Sequence, residues 1–273
     1  ELQGGFSLSV GTKDGQPGLS PKPGDIIITE IMADPNPAVS LPSKEYIEIH
    51  NRSLSSYDLK GWMLSDGNAK CYFPEKIIYP GDYLIVCQIQ DTSLFRVYGK
   101  TMGVKSFPAL TDAGKLLYIS GQDRNLVHGI EYSPGWYGDV LKDGGGWSLE
   151  MIDEDYPFYQ QGNWKASVSD EGGSPGRKNS VSGSNPDQSF DGFANVFPVD
   201  DHTLTLSFGE SVLFPDGCND CLTIEGISAD SVKASDPLMR IFTVTLKAPL
   251  ETGKTYTITA GEVLTDFAGN GMH

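Results

Sequence analysis

Cysteines, paired carboxylates and clustered aromatic rings are the residues of this chain that could do chemistry. Cys218 and Cys221 form a CxxC in a Gly/Asp-rich segment. A structural zinc site needs a second ligand pair at matching spacing. Cys71 and Cys87 lie far upstream in strand-like runs, and none of His50, His128, His202 or His273 pairs with another at ligand spacing. No βαβ pattern surrounds the motif, as a thioredoxin-type centre requires. Buried thiols or a local disulfide are the expectation. Glu45 and Glu48 could pair as general acid and base. No nucleophile or metal cluster accompanies them, so exposed strand positions or loop ordering is the expected role. Asp187, Asp191, Asp200 and Asp201 could order a structural Ca²⁺, which needs only a few convergent oxygens. Neither they nor Asp153-Glu154-Asp155 follow the alternating ligands and Gly of an EF-hand loop. Tyr132, Trp136, Tyr137 and Trp147 sit in a Gly-rich stretch. Exposed, Trp136, Tyr137 and Trp147 would form a stacking platform for a sugar ring or a partner surface; buried, they are core.

Other signatures are missing. There is no GxGxxG before a helix, no GxxxxGK[ST], no HExxH and no GxSxG. Net charge is −16, from 36 acidic against 20 basic residues. An acidic surface opposes a nucleic-acid groove, which needs clustered Lys and Arg, and repels anionic headgroups. It suits a cation, a glycan or simple solubility. No apolar run approaches the ~20 residues that span a bilayer. The first residue is Glu1 rather than Met, so a trimmed, exported product is expected, at the cell surface or released.

The elements that must position these residues read as strands. Ile26, Ile28 and Glu30 alternate with Ile27, Thr29 and Ile31, and Ile47 and Ile49 with Tyr46, Glu48 and His50. Leu204, Leu206 and Phe208, then Phe242, Val244 and Leu246, then Tyr256, Ile258 and Ala260 alternate with Thr-rich partners. Period two with β-branched residues marks half-buried strands. Tyr83–Cys87 and Leu116–Ile119 are continuous apolar runs, as strands buried on both faces are. Trp62 has the setting of a sandwich-core anchor, and Asn51 that of an Asx turn. The one helical candidate is short, near Thr92–Tyr98, with Leu94, Phe95 and Tyr98 sharing a face. Pro80-Gly81-Asp82, Asp66-Gly67-Asn68 and Asp143 to Gly146 punctuate the strands. Gly172–Gln188 has almost no apolar residue, so it is expected to take no part in a core and to link two domains.

From Gly24 onward the chain resembles the lamin tail domain family. The blocks GDIIITEIMADP (24–35), KEYIEIHNRS (44–53), YDLKGWMLSD (57–66) and NWKASVSDEGGSPGRKNS (163–180) stand in that family's order. Residues 187–273 resemble bacterial Ig-like domains of surface and adhesion proteins, through LTLSFGESV (204–212), FTVTLKAPLETGKTYTITAG (242–261) and VLTDFAGNGM (263–272). That family normally has a strand after the "GN" turn. Phe6–Val10 could supply the missing strand at an edge.

The resemblance implies an all-β protein of two β-sandwich, Ig-like domains. Its expected parts are an extension at 1–23, a lamin-tail-like sandwich at 24–180, a Gly/Ser/Pro-rich linker at 181–188 and an Ig-like sandwich at 189–273. It implies a non-enzymatic bacterial surface or adhesion module with a protein or glycan partner. The alternative is a carbohydrate-binding accessory module of a secreted hydrolase system. Neither nucleic-acid binding nor membrane insertion is expected, and structural calcium is the one cofactor considered.

Overall fold

A computed structural model describes residues 20–160, 162–190, 192–214, 221–261 and 264–271. The chain is all-β and forms two sandwiches in tandem. In the first are β1 (Ile26–Met32), β2 (Tyr46–Asn51), β3 (Tyr57–Asp58), β4 (Met63–Ser65), β5 (Lys70–Tyr72), β6 (Ile77–Ile78), β7 (Tyr83–Gln88), β8 (Thr101–Val104), β9 (Lys115–Ser120), β10 (Leu126–Tyr132), β11 (Leu149–Met151) and β12 (Trp164–Ala166). A six-stranded sheet in the order β12-β11-β1-β2-β7-β8 packs on a four-stranded sheet in the order β10-β9-β4-β5. Their facing side chains, with Trp62 among them, form one core. Trp62 is therefore the anchor its setting suggests.

The six-stranded sheet is buried on both faces. Every residue of β1 is buried, Thr29 and Glu30 included. A β-bulge lies between Ile28 and Glu30. Ile28 pairs with Ile49 and Ile31 with Ile47, all in the inner core. The extra residue turns Glu30 to the opposite face, where strict alternation would have put it beside Ile28. That outer face carries its own apolar cluster of Met32, Leu41, Tyr46, Ile85, Cys87 and Phe95. Phe95 comes from the single helical turn α1 (Thr92–Phe95). Leu94 of that turn is exposed rather than sharing Phe95's buried face. In β9 the continuous-run reading also fails, because Leu116 and Tyr118 are only half-buried.

The second sandwich holds β13 (Phe193–Pro198), β14 (Thr203–Phe208), β15 (Val212–Leu213), β16 (Leu222–Ile224), β17 (Ile227–Ala234), β18 (Ile241–Leu246), β19 (Ile258–Ala260) and β20 (Thr265–Asp266). Its ladder runs β13-β14-β18-β17-β16-β19. β17 pairs with β18 over Ala229–Ala234 and with β16 over Ile227–Ser228, with a bulge at Ala229/Ser231. The bulge bends the ladder around a separate core built on Leu206, Phe208, Phe242 and Val244. The sandwiches touch: Phe158 stacks on Phe267 at 3.8 Å, and Arg240 Nη2 reaches Glu131 Oε2 at 2.8 Å. Phe6–Val10 lies outside the described residues.

Asn51 closes the turn after β2. Its Oδ1 accepts the Ser53 N–H, and its Nδ2 donates to the carbonyls of Ser55 and Ile78. The side chain is wholly buried, so Asn51→Ala strands several buried polar groups. The expected cost is about 2–3 kcal/mol, read as a lower urea midpoint. An unchanged midpoint would show that solvent replaces these bonds at no cost.

Candidate functional site

Glu150, Glu30 and Glu48 stand side by side on β11, β1 and β2. Glu30 pairs directly with Glu150 on one side and with Glu48 on the other. All three are fully buried. Directly opposed like charges destabilise a sheet, so something must compensate, and that is a cap of chain after β12. Ser174 donates its N–H to Glu30 Oε1 at 2.8 Å and its hydroxyl to Glu150 Oε1 at 2.7 Å. The Ser180 hydroxyl and the Val181 N–H both go to Glu150 Oε2. Gly176 gives its N–H to Glu48 Oε2. Asn179 Nδ2 ties the cap to the carbonyls of Thr29 and Met151. From below, Tyr46 Oη and Ser148 Oγ also donate to Glu30 Oε1, while Glu30 Oε2 has no hydrogen-bond partner among the described residues.

Residues 172–181 are thus part of the first sandwich, which corrects the expectation that this polar stretch stays clear of a core. Gly172 to Pro175 and Val181 are buried. The 181–188 linker shortens too: Gly183 N–H bonds the Ile152 carbonyl and Asn185 N–H the Asp153 carboxylate. Small polar residues are what a carboxylate row requires, because they bring backbone N–H groups close without side-chain bulk. Glu48 is likewise not an exposed strand position. It orders a loop, and Glu45 does so at the surface by accepting the Leu110 N–H.

Burial, and then the charge of Glu150, push the Glu30 carboxyl up to about 7 against the pull of Ser148, Tyr46 and Ser174. Burial and Glu30 raise Glu48 well above the usual range, opposed by Gly176 and Thr29. On the inner side of β1, His128 is sealed between sheets. Its Nδ1 accepts the Ile28 N–H, so Nε2 carries the proton and donates to the Pro157 carbonyl at 2.9 Å. Burial lowers it to about 4. His50 lies flat on Tyr83, with Nδ1 2.6 Å from Glu154 Oε2. Burial alone would raise Glu154; His50, Tyr83 and Lys178 outweigh it and leave the carboxyl lowered.

An open groove of about 680 Å³ crosses the loops at one end of the first sandwich. Its lining mixes amides (Asn36, Gln88, Gln90), carboxylates (Asp34, Glu45, Asp91, Asp112), the Thr111 hydroxyl and the half-buried ring of Phe107. Lys44 is engaged with Asp91. Burial raises Glu45 despite the Leu110 N–H and Lys115. No composition or spacing signal marked this groove, because its residues come from loops that the fold alone brings together.

The aromatic cluster lies against the first core. Tyr137 is buried and donates to the Trp147 carbonyl, and Tyr132 is core. Trp136 and Trp147 pack half-buried on that core, and Lys142 Nζ covers the Trp147 ring at 4.2 Å. Asp200 and Asp201 rim a groove on the second sandwich, and Asp191 lies outside the described residues. Asp187 converges instead with Glu210 and Asp266, with ligand oxygens within 4.8 Å of one another. Among the described residues these three could share a hard cation. Asp266 already serves its own turn, taking the N–H groups of Ala268 and Asn270. Cys71 and Cys87 are free and buried, and desolvation lifts their thiols to about 12 and about 11. Cys221 is disulfide-bonded, while Cys218 lies outside the described residues.

No curated protein and no solved structure matches the chain. Residues 20–132, which carry β1 to β10 with Glu30, Glu48 and the open groove, match the family model described as Lamin Tail Domain.

Proposed function

We propose that this chain is an exported, non-catalytic binding or structural module of the bacterial surface type, its second sandwich an Ig-like domain. One observation carries the reading: the row of carboxyl groups Glu30, Glu48 and Glu150, together with His128, is sealed inside and spent on anchoring the cap and joining the sheets. A surface open for recognition is the groove between Asp34 and Asp112. Amides, carboxylates and a hydroxyl around one ring form the chemistry that takes sugar hydroxyls and a sugar face. That favours, as a second reading, a carbohydrate-binding accessory module with its ligand here rather than on Trp136, Tyr137 and Trp147.

An array of glycans and extracellular matrix proteins, probed with the purified chain, tests both. Binding is expected, and it should fall about tenfold in Gln90→Ala/Asp112→Ala, whose side chains are exposed and leave the fold intact. Retention of a protein but no glycan keeps the first reading and removes the second. No retained polymer, or equal binding by the variant, removes the groove as the site.

A further inference from the structure

Among the described residues the second sandwich is open along one side. Among the described residues β13 pairs only with β14, and β19 only with β16. Val196 and Pro198 of β13 and Ile258 of β19 line one groove of about 580 Å³. Its floor is the core itself, Leu204 and Ile224. Its walls, Val196, Leu250, Tyr256 and Ile258, pack on that core yet stay only partly buried. A closed sandwich would cover them, and among the described residues no strand does, so apolar surface is left open here.

The rim has a sign. Asp200, Asp201 and Glu251 stand exposed around the groove. The groove lining holds these three carboxylates against one base, Lys254, whose Nζ is 3.3 Å from Glu251 and lies over Tyr256, so the excess is acidic. Pro198 blunts the end of β13, since proline has no N–H to offer a ladder. The free edge of β19 therefore supplies the backbone groups.

We propose that this slot takes an extended segment of a partner protein as an added strand on β19, its apolar side chains alternating with Lys or Arg. The added backbone satisfies the open N–H and C=O groups of the edge. Side chains pointing inward fill the space above Leu204 and Ile224. Those pointing outward meet Asp200, Asp201 and Glu251, and the chain's net charge of −16 draws a basic segment and repels an acidic one. The site is on the other sandwich from the Asp34–Asp112 groove, so it stands or falls independently of that groove.

The test is a display selection of random strand-length peptides on the full chain, followed by backbone amide exchange with the best binder. Sequences alternating apolar residues with Lys or Arg are expected. The bound peptide should slow exchange at Ile258–Ala260. Asp200→Asn/Asp201→Asn/Glu251→Gln should weaken it about tenfold, most strongly at low salt, and Ile258→Lys should abolish it with the thermal transition of the first sandwich unmoved. Enrichment without that alternation, or binding indifferent to both variants, overturns the proposal. So does a dimer in solution whose β19 amides are already protected, which would make the occupant a second copy. Binding that appears only after residues 1–19 are removed would make the occupant this chain's own Phe6–Val10, and overturns it equally.

Discussion

Gly173→Ala is expected to lower the stability of the first sandwich by about 3 kcal/mol or more. A Cβ at Gly173 would lie 2.6 Å from Glu30 Oε1, 2.7 Å from Tyr46 Oη and 2.8 Å from Leu41 Cδ1. None of these can retreat cheaply. Glu30 is gripped by three donors, and Tyr46 packs its ring on Phe95 at 5.1 Å. The cap must lift instead, and lifting it strips hydrogen bonds from all three carboxyl groups. A buried polar group that loses its partners costs stability whether it is charged or neutral. Gly183→Ala is the control. It lies ten residues on in the same polar stretch, and its nearest neighbour is the Val181 carbonyl at 3.9 Å. It should move the urea midpoint by no more than ~0.5 kcal/mol equivalent. Coincident midpoints for the two variants would mean that the cap is not held against the carboxylates.

That contrast also shows what could be read without coordinates. The strands and the two separate cores follow from period-two alternation and turn residues, and Trp62 and Asn51 take the roles their local settings suggest. The site does not follow, for three physical reasons. The bulge at Thr29 exchanges faces in the middle of β1, and alternation carries no trace of one extra residue. Gly172 to Val181 looks like a linker because it lacks apolar side chains; yet buried carboxylates attract backbone N–H groups, which every residue but proline has. Composition cannot separate a segment that avoids a core from one that solvates a core's charges. Asp187 finds Glu210 and Asp266 rather than the acidic residues nearer in sequence, because β-sandwich contacts join distant strands.

Two single substitutions should tilt the pH dependence of stability in opposite directions. Glu30 sits at about 7 in the folded chain against an ordinary 4.5. Below pH 4.5 it is protonated folded or unfolded and costs nothing. As pH rises towards 7 the unfolded chain ionises first, so the folded state loses ground, by ~3 kcal/mol for a shift of this size. His128 is the mirror image, at about 4 against 6.5. Above pH 6.5 it is neutral in both states. As pH falls towards 4 the unfolded chain takes up the proton first, and again the folded state loses ~3 kcal/mol. In their shared window these two slopes oppose each other, while Glu48, also raised, adds a loss of the same sign as Glu30. Glu30→Gln keeps the shape and removes the charge. Its stability relative to the parent chain should climb from pH 4 to pH 8, and its own curve should bend down on the acid side, where His128 acts unopposed. His128→Gln should do the reverse, gaining on the parent chain as pH falls. Urea titrations at a series of pH values read both differences; in Glu30→Gln the relief of Glu48, which Glu30 raises, adds to the climb with the same sign. Curves that stay parallel to the parent's would mean that neither buried group changes its protonation between the folded and unfolded chain. The carboxylate row would then hold its charges through the cap's hydrogen bonds alone.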